Sequence, residues 1–225
     1  MSCILNIETS TSVCSVALSM DGEVLFAKAS FDGPSHAALL GVFVEEALSV
    51  LKKKGKKALD AVAVSSGPGS YTGLRIGVSV AKGLCFGFGI PLIGIHTLDI
   101  MAATVNSKGD SQIVSMTDNC LYCAMLDARR MEVYAAIYDA SLKPVRETKA
   151  DIVEVGTYAS YLEKGKVCFF GNGASKCKSV ITSPNAIFIE DIHPLAVNMI
   201  PLSEQAFAAG KFEDTAYFEP FYLKE

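Results

Sequence analysis

The 225-residue sequence contains no hydrophobic run long enough to cross a membrane. Its most apolar stretch, residues 83–95, is interrupted by glycines and Pro91, whereas a membrane helix needs about 20 apolar residues. The sequence also lacks an excess of basic charge, since 20 Lys and Arg residues stand against 24 Asp and Glu residues. This balance disfavours the chain as the main surface that grips a nucleic acid, because such surfaces are basic. The one basic run, at residues 52–57, fits a solvated helix end better than a phosphate site.

Signals for export are missing as well. Met1 and Ser2 lead directly into an apolar segment that carries Glu8, without the basic start of a signal peptide. The seven cysteines are an odd number and lie mostly among apolar residues, which is typical of reduced core thiols rather than of a disulfide framework. We therefore expect a cytoplasmic protein. Half of its residues are apolar, so a very complete core, a protein interface or both must accommodate the extra apolar surface.

Residues 60–89, DAVAVSSGPGSYTGLRIGVSVAKGLCFGFG, are the stretch around which the chain is organised. The apolar run at residues 61–64 predicts a strand, Gly67-Pro68-Gly69 predicts a tight turn, and the spacing from Thr72 onward predicts a helix. The glycines form G-x-G-x-x-x-G, one residue longer than the dinucleotide fingerprint, and no Gly-Lys-Ser/Thr follows to make a P-loop. The spacing therefore favours a structural turn over an anion site at this helix N-terminus.

The predicted helix has a stripe of small residues, because Gly73, Gly77 and Ala81 lie four positions apart. Each glycine costs about 1 kcal/mol relative to alanine in a helix interior, so the stripe indicates that something approaches the helix closely. Two kinds of neighbour fit this pattern: the chain's own sheet or helices, and a partner protein. The residues alone do not decide between them.

The predicted elements before this stretch are strands at residues 3–8, 13–19 and 23–30 and a helix at residues 35–54, and those after it are a strand at 91–95 and a helix at 98–105. Their order, βββαβα, is that of the ribonuclease-H-like half-unit. A change of composition at residues 106–110 predicts a domain boundary. Strands at 112–117, 121–127, 131–138 and 167–170 and a helix around 195–209 are predicted beyond it. No internal repeat is visible by identity.

Three strings carry a family resemblance: ILNIETSTSVCSVAL near the start, GPGSYTGLRIGVSVAKGL in the central stretch, and LDARRMEVYAA in the second half. They resemble the TsaB (YeaZ) family, a likeness that covers nearly the whole chain. The resemblance implies an α/β, two-domain actin-like ATPase fold, shared with sugar kinases, Hsp70 and actin and built from ribonuclease-H-like units. We expect an N-terminal domain at residues 1–105 and a smaller, trimmed C-terminal domain at residues 106–225.

The resemblance also implies a function in making N6-threonylcarbamoyladenosine at position 37 of ANN-decoding tRNAs. The expected role is a non-catalytic scaffold and activator of the catalytic subunit TsaD, assembled with the ATPase TsaE. The tRNA would be bound only within the complex, and the chain alone would form a homodimer. We expect no cofactor of its own, although ATP or ADP at the shared interface fits the resemblance.

In this family the helix after the GPGS loop and the preceding long helix pack against the equivalent helices of TsaD. The resemblance therefore implies a partner interface, whose residues here are Leu40, Val44, Leu48, Gly69, Ser70, Tyr71, Thr72, Gly73, Arg75, Ile76, Gly77, Val80 and Ala81. Arg75 is suited to a bidentate bond with a partner carboxylate, which lysine would not reproduce. Two departures from the family pattern are Tyr71, where phenylalanine is common, and Lys224 in the tail.

The actin-like superfamily holds phosphate at its first hairpin turn, and the matching residues here are Glu8, Thr9, Ser10 and Thr11. A hydroxyl-rich turn is also ordinary hairpin chemistry, so a vestigial phosphate loop and a plain turn both fit. We expect no metal site, because TsaD uses two histidines four apart, whereas Leu40 follows His36 at that spacing. Cys120 and Cys123 form a single C-x-x-C that is more typical of strand residues than of a zinc or redox site.

Two other functions remain open from the sequence. An independent small-molecule kinase or ATPase of the same fold would need an intact acidic residue in the first loop and tight nucleotide binding by this chain alone. A peptidase is less favoured, because Ser70 lies in G-P-G-S-Y-T-G rather than in G-x-S-x-G and no histidine is tied to it.

Overall fold

The structure, a computed structural model, describes residues 2–33, 35–55, 58–107 and 120–223. The predicted strand at residues 112–117, the boundary residues 108–110, Lys56 and Lys57 of the basic run, and Lys224 lie outside the described residues. The chain divides into two compact units. The first comprises Met1–Ile100 and Pro194–Tyr222, and the second comprises Met101–His193 and Leu223–Glu225.

The first unit is built on a five-stranded sheet. Its elements are β1 (Cys3–Glu8), β2 (Cys14–Met20), β3 (Glu23–Ser30), α1 (His36–Lys53), β4 (Ala61–Gly67), α2 (Tyr71–Phe88) and β5 (Leu92–His96), and α3 (Thr97–Ser107) begins in it. The strand order is β3-β2-β1-β4-β5, with β1 antiparallel to β2 and parallel to β4. The central strands β1 and β4 are buried at every residue, which explains why they are mostly continuous apolar runs.

The two faces of this sheet carry different cores, because successive strand residues point to opposite sides. Leu5 and Ile7 of β1 pack in one cluster with buried residues of α1 and α2. Ile4 packs in another cluster with Met199, which belongs to the last helix of the chain. The helices α1 and α2 therefore cover the same face of the sheet and contact each other, and their outward sides form the surface of that layer.

Asp21 and Gly22 form the two-residue turn between β2 and β3. Asp21 has φ 50° and Gly22 has φ 82°. Positive φ at both central residues is what the favoured two-residue hairpin turn requires, and asparagine, aspartate and glycine tolerate it best. The turn fixes the antiparallel pairing that places β2 next to β1.

The second unit repeats the strand arrangement of the first. Its elements are β6 (Leu121–Asp127), β7 (Glu132–Tyr138), β8 (Pro144–Ile152), α4 (Ala159–Leu162), β9 (Val167–Phe170), α5 (Ala174–Cys177) and β10 (Ala186–Ile189). The order is β10-β9-β6-β7-β8, an antiparallel meander followed by two parallel strands. The actin-like fold built from two ribonuclease-H-like units is thus confirmed. The crossover helices have four residues each instead of eighteen, so the trimming lies in the helices.

The last helix, α6 (Ala196–Ala208), belongs to the first unit. The Ala196 amide donates to Ser15 Oγ at 2.9 Å, and Glu204 accepts hydrogen bonds from Ser2 Oγ at 2.6 Å and Ser19 Oγ at 3.2 Å. The sequence prediction placed all of residues 106–225 in the second domain. In the structure, residues 194–222 belong to the first unit instead. The physical reason is the apolar face of α6, which covers the second side of that sheet. No helix in the described part of the chain is long and apolar enough to span a membrane.

Candidate functional site

The helix α2 has clear local signals at both ends. Ser70 caps the first turn, because its Oγ accepts a hydrogen bond from the Gly73 amide at 3.2 Å. Gly89 ends the helix in the left-handed conformation, with φ 66°, and its amide bonds to Cys85 O. These two signals define where α2 begins and where it ends.

The small stripe of α2 lies on the turn after β1. A Cβ atom added at Gly69 would clash with Ser10 O, one at Gly73 with Thr9 O, and one at Gly77 with Thr9 Oγ1. Thr9 Oγ1 donates to Gly73 O at 2.8 Å, and the Ser70 amide donates to Ser10 O at 2.6 Å. Of the two neighbours that the sequence left open, the chain's own hairpin turn is therefore the one that Gly73 and Gly77 accommodate.

The thirteen residues predicted for the partner interface fall into three groups. Buried are Leu40, Val44, Gly73, Gly77 and Ala81; half-buried are Leu48, Gly69, Ile76 and Val80; exposed are Ser70, Tyr71, Thr72 and Arg75. The buried five contact the chain's own interior, because they lie on the sides of α1 and α2 that face the sheet and the turn. A partner could not reach these five side chains in the folded chain. Only exposed positions of α1 and α2 are therefore candidates for a partner interface.

Exposed positions that the sequence reasoning missed lie on the outward sides of α1 and α2. A Cβ atom added at Gly41, Gly83 or Gly87 would meet no atom within 4 Å, so no packing within the described chain requires glycine there. Val42 is 47% exposed and Phe86 is 88% exposed. We call these five residues the outer helical face. The signal in the sequence is a second small stripe, since Ser79, Gly83 and Gly87 also lie four apart.

The predicted phosphate loop is engaged within the chain. Glu8, Thr9, Ser10 and Thr11 are all buried. The Ser10 amide donates to Glu8 Oε1 at 2.5 Å, and the Thr9 amide donates to Ser65 Oγ at 3.4 Å. A phosphate is normally held by amides that point at it, so Thr9 and Ser10 do not offer a phosphate their backbone donors in this arrangement. Two backbone donors of the predicted loop are therefore already engaged within the chain.

The Glu8 carboxyl group is fully buried at the carboxyl end of β1. Burial raises its pKa from 4.5 to about 7, and the hydrogen bonds from Ser10 and Ser65 offset only part of that effect. Its Oε2 atom has no hydrogen-bond partner among the described residues. Glu8 is thus a buried acid beneath the N-terminal half of α2, connected to that helix through Thr9 and Ser10.

A second group of contacts that the sequence did not indicate joins the C-terminal segment to α2. Lys82 Nζ donates to the carbonyl oxygens of Ala216 and Phe218, at 3.0 and 3.2 Å. Nearer the N-terminus of the helix, Arg75 Nε donates to Tyr222 Oη at 3.2 Å. The side of α2 that carries Arg75 and Lys82 is therefore partly covered by the chain's own tail.

His36, His96 and the C-x-x-C cysteines each have their own neighbours within their unit. His36 is the first residue of α1, with Nε2 3.3 Å from Val13 O, and His96 Nδ1 lies 3.4 Å from Ser66 Oγ. Cys123 is buried within β6, whereas Cys120 Sγ lies 2.9 Å from Cys168 Sγ of β9. Among the residues that the structure describes, no group of three or more His, Cys, Asp and Glu side chains is arranged to hold a metal ion.

Comparisons with known proteins show which proteins this chain resembles. Residues 32–188 match the family model described as TsaD, the tRNA N6-adenosine threonylcarbamoyltransferase. The chain is 31% identical to the tRNA threonylcarbamoyladenosine biosynthesis protein TsaB of Escherichia coli K12, over 98% of this chain and 94% of that protein. It is 27% identical to the protein of the same name from Buchnera aphidicola, over 91% and 93% of the two chains.

Solved structures give the same result for the fold. The structure of YeaZ from Pseudomonas aeruginosa superimposes with a TM-score of 0.79 and 26% identity, covering 99% of this chain and 100% of that chain. A second structure from the same organism, of an uncharacterized protein with similarity to peptidase YEAZ, covers 100% of both chains with the same TM-score and identity. Both described units of the chain therefore have counterparts in these structures.

Proposed function

The chain belongs to the TsaB (YeaZ) family, and on this basis we propose that it is a non-catalytic scaffold and activator of TsaD in the biosynthesis of threonylcarbamoyladenosine in tRNA. The observation that carries the proposal is the outer helical face, which exposes glycine and apolar side chains where the fold itself gives no reason for them. A partner that packs its own helices closely against α1 and α2 supplies that reason.

The exposed glycines support a helical partner in particular. Helix axes approach most closely where side chains are smallest, so Gly41 and Gly83 allow a partner helix to lie close to α1 and α2. Each glycine reduces helix stability by about 1 kcal/mol relative to alanine. The match of this chain to the TsaD family model supports a partner of related fold, with similar helices available for packing.

Apolar exposure on the same face supports a protein contact rather than a nucleic-acid contact. Phe86 and Val42 present large apolar surfaces, and burial on binding stabilises a complex by roughly 25 cal/mol for each Å² of apolar area removed from water. The net charge of −4 is unfavourable for a surface that holds tRNA by itself. We therefore propose that tRNA is held within the complex.

The remaining partners and conditions belong to the same proposal. TsaE completes the assembly, and the outer helical face is shared between TsaD in the complex and a second copy of this chain when TsaD is absent. ATP or ADP is held only in the assembled complex, because the loop at Glu8 is engaged within the chain. The setting is the cytoplasm, which suits seven buried cysteines that form no disulfide in the described structure.

Gly83→Leu is expected to leave the isolated chain folded and to weaken binding to TsaD from the same organism at least tenfold. The space around Gly83 is open, so leucine causes no clash within the chain, but it prevents a partner helix from approaching. Isothermal titration calorimetry gives the affinity, and circular dichroism gives the folded state.

Val24→Leu is the matched control for this experiment. Val24 is 50% exposed on the edge strand β3, outside the outer helical face, so the substitution enlarges a side chain without blocking α2. It is expected to leave the affinity unchanged. Wild-type affinity in a folded Gly83→Leu variant would remove α2 from the proposed interface.

A further inference from the structure

The C-terminal segment, residues 213–222, is held against the first unit along its length. The Glu213 amide donates to Leu92 O of β5 at 2.9 Å, and the Phe221 amide donates to Ser66 O at the end of β4 at 2.6 Å. The Phe221 ring lies edge-on to His96 with 5.7 Å between the ring centroids. These contacts bring Tyr222, near the end of the described chain, to the N-terminal turn of α2.

At that turn, three side chains form a compact cluster. The Arg75 guanidinium carbon lies 4.1 Å from the centroid of the Tyr71 ring, and Arg75 Nε donates to Tyr222 Oη at 3.2 Å. The Tyr71 and Tyr222 rings lie 5.3 Å apart, centroid to centroid. A long arginine side chain on a surface normally samples many rotamers, whereas this one is held by a ring face on one side and a hydroxyl at its Nε.

The two terminal nitrogens of the Arg75 guanidinium are suited to bind an anionic ligand. They have no acceptor among the described residues, while Nε is already occupied by Tyr222. The planar fork of an arginine binds a carboxylate with two parallel hydrogen bonds, and a guanidinium fixed in advance loses less conformational entropy when it does so. The site is exposed, because Tyr71 is 55% exposed.

We propose that Arg75, held by Tyr71 and Tyr222, receives a carboxylate side chain of TsaD, and that Tyr222 is a positioning residue for this contact. The inference rests on the proposed function, because Tyr71 and Arg75 lie on the same helix as Gly83. It extends the docking surface from the outer helical face to the C-terminal segment. The tail of the chain thereby becomes part of the interface through the hydroxyl group of Tyr222.

The chemistry favours a protein carboxylate over an RNA phosphate. The cluster lies on the same helix as the apolar surface that suits a protein partner, and it offers one guanidinium rather than a basic patch. A surface that holds RNA phosphates normally carries several clustered basic residues, which a single guanidinium does not provide.

Tyr222→Phe tests the positioning role, because it keeps the ring stacked near Tyr71 and removes only the hydroxyl. We expect the dissociation constant for TsaD to rise about fivefold, the effect of one hydrogen bond. Arg75→Ala should raise it at least tenfold, and Arg75→Lys should not restore it, since an ammonium lacks the planar fork. The double variant Arg75→Ala, Tyr222→Phe should bind no more weakly than Arg75→Ala alone.

Tyr217→Phe is the matched control in the same segment. Tyr217 is 84% exposed, and removal of its hydroxyl is expected to leave the affinity for TsaD unchanged. Additive effects of Arg75→Ala and Tyr222→Phe would overturn the positioning role. Variants that bind TsaD normally but retain less tRNA in the complex would assign Arg75 to a phosphate instead.

Failure of the proposed function and failure of the Arg75 carboxylate contact would give different binding results. If the wild-type chain does not bind TsaD, the proposed function is wrong. If the wild-type chain binds and Gly83→Leu weakens binding, but the Arg75 and Tyr222 variants bind as the wild type does, only the carboxylate contact is wrong.

Discussion

Gly73→Ala is expected to lower the free energy of unfolding of the isolated chain by about 3 kcal/mol or more. The added methyl group would meet the backbone carbonyl of Thr9, and a backbone atom in the centre of a packed layer cannot move aside cheaply. The helix and the hairpin turn would have to separate. The hydrogen bond from Thr9 Oγ1 to Gly73 O, now 2.8 Å long, would be lost with that separation. Urea unfolding followed by circular dichroism measures the change.

Gly83→Ala is the control on the same helix. No atom lies within 4 Å of the added carbon, so only helix propensity changes, and the free energy of unfolding should rise by up to about 1 kcal/mol. Opposite signs for the two substitutions would show that the two small stripes of α2 have different functions. Equal and small effects would contradict the packing of α2 on the turn after β1.

Glu8→Gln is expected to stabilise the chain by about 3 kcal/mol at pH 8 and to change its stability little at pH 4. The pKa of Glu8 is about 7 in the folded chain and 4.5 in the unfolded chain. As the pH rises through this interval, the unfolded chain loses the proton first, so the wild-type chain loses stability until the folded group also ionises. Above about pH 7 the loss is complete, and glutamine avoids it.

The difference between variant and wild type isolates Glu8 from the other carboxylates, which titrate in both proteins. Unfolding by urea at pH 4, 6 and 8 gives that difference directly. Glu45→Gln, an exposed position on α1, should change the free energy of unfolding by less than about 0.5 kcal/mol at each pH. A Glu8→Gln variant that is destabilised at pH 8 would show that the buried carboxylate is stabilised by a partner that the described contacts do not include.

The first half of the fold was predictable because its signals are local and consistent. The observed bounds of β1, β3 and the end of α1 lie within one residue of the predicted bounds. The apolar runs, the Asp21-Gly22 turn and the periodicity of α1 all indicate the same elements. The family and the repeated fold were predictable from the strings around Gly69 and Glu8. Duplication itself was invisible by identity and appears only in the order of strands.

The second half shows where local signals fail. The strand β8, PVRETKADI, lies at the edge of its sheet and is rich in charged and polar residues, so it lacks the apolar pattern of a central strand. The strand β10, AIFI, is apolar but only four residues long and half-buried, so it gives a weak signal. The packing of α6 on the first sheet is a long-range contact, and the spacing of residues within the helix cannot predict it.

The candidate site was predictable in its location but not in its details. Helix periodicity identifies stripes, yet it does not say which stripe faces the chain's own turn. For that reason Gly73 and Gly77 were assigned to a partner, whereas the exposed stripe at Gly83 and Gly87 was missed. The cluster of Arg75 with Tyr222 joins residues almost 150 positions apart, and sequence spacing cannot reveal such a contact.

The solution mass of the chain mixed with TsaD from the same organism tests the proposed function most directly. Size-exclusion chromatography with multi-angle light scattering should show a self-dimer of the chain alone and a one-to-one heterodimer after mixing. The Gly83→Leu variant should form less of the heterodimer than the wild-type chain at the same concentration, whereas Val24→Leu should form as much. Two unchanged masses after mixing of the wild-type proteins would contradict the scaffold role.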